Sequence, residues 1–147
     1  MPRTPVIPPG SPPPMAPYSP GVKHGNMLFI SGMLAVDKEG KPLAEGDVTA
    51  QTRTVIEMIK TIVETAGGTL DDVVHNAIFL KNLSDYGAMN AVYGQYFGNL
   101  PPARYCIRAD LVRPEFLVEI SSIACLRSKF VISFLRGNKI LATPRPL

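Results

Sequence analysis

The sequence predicts an α+β fold, one mixed sheet with two helices on one face, in the order β-β-α-β-α-β-β. Two stretches place apolar residues at helical spacing, and five shorter ones are apolar enough for buried strands. Glycine, proline and asparagine clusters separate them. With 147 residues the chain is sized for one hydrophobic core, and 46% hydrophobic against 18% charged residues excludes disorder throughout.

Nine of the fifteen prolines fall within the first twenty residues. Pro8-Pro9-Gly10-Ser11-Pro12-Pro13-Pro14 cannot form helix or central strand, so residues 1–16 are expected as an extended arm, with order beginning near Tyr18. Residues 22–31 read as a hairpin turning at His24-Gly25-Asn26, with Met27-Leu28-Phe29-Ile30 as a buried strand. Asp47 is placed to cap a long helix that stops at Gly67-Gly68. Val48, Val55, Ile59, Ile62, Val63 and Ala66 share one face of it. Residues 73–80 follow as a strand, and Ser84 is expected to cap a second helix running to Phe97, ended by Pro101-Pro102. Residues 104–111 and 116–126 then read as two strands around Arg113-Pro114. Helices on one face leave the other face of the sheet to be polar or covered. Alternation is weak where Ser121 and Ser122 sit among Ile120, Ile123 and Ala124, so burial against another subunit is the preferred reading.

The net charge of +3 does not mark a nucleic-acid surface. Residues 127–147 hold five basic side chains and no acid, which leaves ten basic against twelve acidic residues in 1–126, a balance of −2. This basic extension has no assigned role, and residues 130–135 within it could form an added strand or an exposed apolar appendage. No apolar run is long enough for a membrane span, and the proline-rich start does not read as a signal peptide, so a cytoplasmic protein without membrane contact is expected. Cys106 and Cys125 are then expected as free thiols. Gly67-Gly68 lacks the lysine and spacing of a phosphate loop, and Asn82-Leu83-Ser84 reads as a helix start rather than a glycosylation site. His24, His75, Cys106 and Cys125 share no metal-ligand spacing. Cys106 has no evident partner base and reads first as a small buried hydrophobe.

Two charged residues invite a chemical reading. Arg104 follows the stiff Pro101-Pro102-Ala103 segment, and Glu119 interrupts the core-like run Leu117-Val118-Glu119-Ile120. A solvated strand face or a surface ion pair would account for both. So would a carboxylate-binding fork beside a general acid/base with a raised pKa. Spacing alone leaves the two readings open.

The sequence resembles the Rid/YjgF reactive-intermediate deaminases over residues 15–126. The resemblance rests on Pro17-Tyr18-Ser19-Pro20, Phe29-Ile30-Ser31-Gly32, Gln51-Thr52-Arg53, Asn90, Pro102-Ala103-Arg104 and Val118-Glu119-Ile120. Ala16-Pro17-Tyr18, residues 64–69 and Ala103-Arg104-Tyr105-Cys106-Ile107 are most similar to the RutC aminoacrylate-deaminase subgroup. The resemblance implies a deaminase domain at 17–126, a chorismate-mutase-like fold, and a homotrimer with clefts at its subunit interfaces. It also implies hydrolysis of small carboxylate-bearing enamines or imines, of the 2-aminoacrylate type, to an oxo acid and ammonia without metal or organic cofactor. By the same resemblance Arg104 binds the substrate carboxylate and Glu119 activates water. Tyr18, Ser31, Asn90 and the backbone at Cys106 line the pocket. Deamination of a larger 2-aminomuconate-type enamine is the alternative within enzymes. A non-catalytic ligand-sensing or interaction module is the alternative outside them.

Overall fold

The ends of the longer helix show local chemistry setting the fold in the computed structural model, which describes residues 2–14 and 16–127. Helix α1 (Val48–Thr65) starts where Asp47 Oδ1 accepts the Ala50 N–H at 3.0 Å. It stops in two reversed bonds, Gly68 N–H to Val63 O at 3.0 Å and Gly67 N–H to Glu64 O at 2.9 Å. Gly67 takes φ 91°, which glycine adopts without a Cβ clash. Between these ends Val55, Ile56, Ile59, Ile62 and Val63 form the buried stripe. A fully buried aliphatic side chain contributes about 1.5–3 kcal/mol, so this stripe is a main anchor of the core.

The stripe lies on one face of a six-stranded sheet made of β1 (Thr4–Val6), β2 (Gly21–His24), β3 (Met27–Met33), β4 (Val73–Leu80), β5 (Ala103–Arg108) and β6 (Val118–Cys125). Their order is β1-β2-β3-β6-β4-β5. All neighbours are antiparallel except β4 and β5. Helix α2 (Tyr86–Phe97) packs beside α1, burying Met89, Val92, Tyr93 and Phe97.

Three details depart from the sequence expectations. Order begins before Tyr18, because Thr4–Val6 pairs with β2 and buries Val6. Pro5 is tolerated there because an edge strand can face one side away from any ladder. Ser84 does not cap α2: it lies in a 3-10 turn, Leu83–Asp85, and Asp85 precedes the helix without a side-chain capping bond. The two strands around Arg113-Pro114 are present but shorter than expected, Ala103–Arg108 and Val118–Cys125, with β6 inserted between β3 and β4 and β5 parallel to β4 at the edge. Arg127 closes the described chain with an ion pair to buried Asp72, Nε to Oδ1 at 2.7 Å, and residues 128–147 lie outside the described residues. No described helix is long and apolar enough to cross a membrane.

Strand β6 alternates strictly. Val118, Ile120, Ser122 and Ala124 point to the helices, and Glu119, Ser121, Ile123 and Cys125 to the open face. The open face is largely apolar: Phe29, Tyr105 and Ile107 are each nearly half exposed, and Tyr105 packs against the His75 and Phe79 rings.

The segment leading into β6 hangs on Gln51, fully buried in α1. Its amide nitrogen donates to Leu43 O, Ala44 O and Glu115 O, and its oxygen accepts the Leu117 N–H at 2.8 Å. Replacing it with leucine leaves several part-buried backbone groups without their partner, at about 1–3 kcal/mol for those that water cannot reach. Gln51→Leu is expected to lower unfolding stability by at least about 3 kcal/mol in urea denaturation, and a loss within experimental error would contradict this role.

Candidate active site

Glu119 sits where a bulge opens the β3–β6 ladder. The register runs Ile30↔Ser122 and then Met33↔Ile120, so Ser31 and Gly32 together oppose Ser121. A Cβ on Gly32 would overlap the Glu119 carboxylate, so glycine is what leaves room for it. Burial pushes the Glu119 pKa up, and no described residue forms a hydrogen bond or ion pair with it. Such a carboxyl can hold a proton nearer neutrality and exchange it with a bound molecule.

Tyr18 and Ser31 belong to the same neighbourhood. Ser31 donates from Oγ to Ser19 O at 2.8 Å and from its backbone N–H to Pro20 O at 3.0 Å, which ties the Tyr18 loop to the bulge. Tyr18 and Gly32 also wall a cavity of about 190 Å³ together with Pro12, Pro13, Met58 and Ile62. The sequence gives no hint of this wall. The proline arm reads as an extended surface segment, and only its path over α1 reveals the contact.

Arg104 has a different environment on the helix-facing side of β5. Its Nη2 donates to Asn90 Oδ1 at 2.6 Å, and its Cζ lies 4.6 Å from the Tyr93 ring centroid. Tyr86 stands beside it, 6.0 Å from Cζ to the ring centroid. No carboxylate among the described residues pairs with the guanidinium, and Nη1 is buried without a hydrogen-bond partner. A planar cation held from below and at one nitrogen suits a ligand carboxylate. Cys106 follows two residues along the same face, half-buried and packed on the core. Burial raises its thiol pKa, opposed by the Arg104 charge, so it stays a thiol rather than a thiolate nucleophile. Sequence reasoning missed Tyr86 and Tyr93, whose helical spacing reads as core packing and nothing more.

Within one chain the expected site residues therefore form two groups. Tyr18, Ser31 and Glu119 gather at the bulge, and Arg104, Asn90 and Cys106 gather under α2. Glu119 pairs in register with Phe79, and Arg104 with Asn76. That separates their Cα atoms by two strands and three residues, about 14 Å at ~4.8 Å per strand and ~3.3 Å per residue. They also point to opposite faces of the sheet, so one small molecule cannot touch both in a single chain.

The comparisons with known proteins agree with this fold. The family model described as endoribonuclease L-PSP matches residues 9–126. The 3-aminoacrylate deaminase RutC of Acinetobacter baylyi is 48% identical over 124 residues, covering 84% of this chain and 98% of that protein. RidA from an Antarctic Psychrobacter species is 38% identical with a TM-score of 0.75, covering 82% of this chain and 98% of that one. The YjgF gene product of E. coli is 32% identical with a TM-score of 0.77, covering 84% and 99%.

The desolvated carboxyl at the bulge has a thermodynamic consequence. Its folded pKa lies above the unfolded value, so the native state loses stability as pH rises through the folded pKa. Glu119→Gln removes that loss. The variant is expected to gain stability relative to the parent as pH rises from the ordinary carboxylate range to neutrality, read from urea midpoints. A difference that does not change with pH would contradict the desolvation.

Proposed function

The chain belongs to the Rid/YjgF family, and we propose that it hydrolyses small carboxylate-bearing enamines and imines to an oxo acid and ammonia. The observation that carries this reading is the pair of half-sites: a guanidinium with no carboxylate partner among the described residues, and a desolvated carboxyl lodged against Gly32. Arg104 binds the substrate carboxylate. The enamine tautomerises to its imine, and Glu119 takes a proton from water as the oxygen adds to the imine carbon. It passes that proton to the nitrogen to give the neutral carbinolamine. It then takes the hydroxyl proton and delivers it to the same nitrogen as the C–N bond breaks, leaving the oxo acid and ammonia. The route needs no covalent nucleophile and no electron sink, and a carboxyl titrating nearer neutrality serves both transfers.

The opposite facing of Arg104 and Glu119 is resolved by assembly. A homotrimer whose apolar sheet faces meet would bury Phe29, Tyr105 and Ile107, and would bring the Glu119 group of one chain to the Arg104 group of the next. Tyr18, Ser31, Asn90 and the Cys106 backbone then line that cleft. A cytoplasmic location is part of the same reading. A phosphodiester substrate has less support, because ten basic residues face twelve acidic ones over residues 1–126.

The relative's name places the amine on the carbon farther from the carboxylate, as in 3-aminoacrylate, whereas the sequence reading favours the 2-amino isomer. The same proton transfers serve both, and the isomers are compared by ammonia release after generation in situ. Arg104→Lys is expected to lose at least about tenfold in kcat/KM, since a point charge does not replace a two-bond fork. Glu119→Gln is expected to bind substrate and release ammonia at or near the uncatalysed rate. Parental turnover by either variant would contradict the role given to that residue.

A further inference from the structure

We propose that a buried chain of side chains, Ser122–Asn76–Tyr93, sets the position of the Arg104 guanidinium, making Asn76 and Tyr93 positioning residues for carboxylate binding; this rests on the reading of Arg104 above. Register places Ser122, Asn76 and Arg104 side by side across β6, β4 and β5, all on the helix-facing side. Asn76 is fully buried, and Ser122 and Tyr93 are nearly so. The Ser122 hydroxyl donates to Asn76 Oδ1 at 2.5 Å, and Asn76 Nδ2 donates to the Tyr93 hydroxyl oxygen at 2.8 Å.

Aliphatic side chains would fill these core positions without any polar group to satisfy. What the polar set adds is a fixed point for the Tyr93 hydroxyl. The ring also packs on Phe97, at 4.6 Å between centroids. With its hydroxyl tethered and Phe97 packed against it, the ring is held in place, and the Arg104 Cζ lies 4.6 Å from its centroid. Arg104 is a long side chain on an edge strand, with no acid among the described residues to hold it. The ring supports the guanidinium by cation–π attraction while Asn90 takes Nη2, which leaves Nη1 without a partner among the described residues. Such a buried donor calls for a partner, and a ligand carboxylate supplies one. Asn76 thus acts on the substrate only through Tyr93 and Arg104.

The test separates positioning from simple core packing. Asn76→Leu alone leaves two hydroxyls without their partner and is expected to destabilise the fold. The triple variant Ser122→Ala/Asn76→Leu/Tyr93→Phe removes every polar member, keeps the aromatic ring and is expected to recover much of that stability. With 3-aminoacrylate generated in situ, the triple variant should raise KM at least about fivefold with kcat within about twofold of the parent. Tyr93→Phe alone, which keeps the ring and cuts the tether, should shift KM in the same direction. A parental KM in the folded triple variant, or in Tyr93→Phe should the triple fail to fold, would overturn the positioning role. Arg104→Ala is measured alongside. Loss of turnover there with a parental KM in the network variants sinks the network alone. Parental turnover in Arg104→Ala sinks the carboxylate reading on which it rests.

Discussion

Side chains on a β-strand alternate between faces, and this period of two governs how the protein can work. It sends Glu119 to the open face of the sheet and Arg104 to the helix-facing side, two strands away. No rotamer change spans that separation. Any reaction that uses both must draw them from different chains, and the apolar open face supplies a surface that a second chain could cover. Assembly and chemistry are thereby the same problem.

Each half-site is then built by a different device. At the bulge, the absence of a Cβ on Gly32 admits a carboxylate, and burial raises its pKa with no ion pair among the described residues to pull it back. Gln51 fixes the backbone two residues ahead of Glu119, so the carboxyl inherits the rigidity of α1. Under α2 the logic is reversed. The guanidinium keeps its charge and is held by a ring face and one amide oxygen, contacts that do not neutralise it. Desolvation tunes the acid, and orientation tunes the cation.

Much of this was legible in the sequence because local signals and tertiary structure agree. Asp47 and Gly67-Gly68 bound α1 where capping chemistry says they should, and residues 73–80 are the strand their density of aliphatics implies. The mistakes have physical causes. Ser84 has capping chemistry, but a 3-10 turn intervenes and moves the helix start to Tyr86. The alternation of β6 was hidden because Ser122 is a core residue, its hydroxyl satisfied by Asn76, while Ile123 lies on the open face. That β6 inserts between β3 and β4 is a long-range pairing, and no local spacing encodes it. Among the site residues, motif resemblance pointed to Arg104 and Glu119, yet their opposite orientation follows only from register. Tyr93 and Asn76 could have been suspected from a tyrosine and an asparagine in otherwise apolar runs, but their partners are distant in sequence.

The central claim, that each cleft takes Arg104 from one chain and Glu119 from another, is tested most directly by mixing two inactive variants. Arg104→Ala and Glu119→Gln chains are unfolded together in equal amounts, refolded, and assayed for ammonia release from 3-aminoacrylate. In mixed trimers one cleft of the three receives an intact residue from each side, so activity should return to roughly a quarter of the parental level. Activity no higher than that of the two variants refolded separately would contradict a cleft shared between chains.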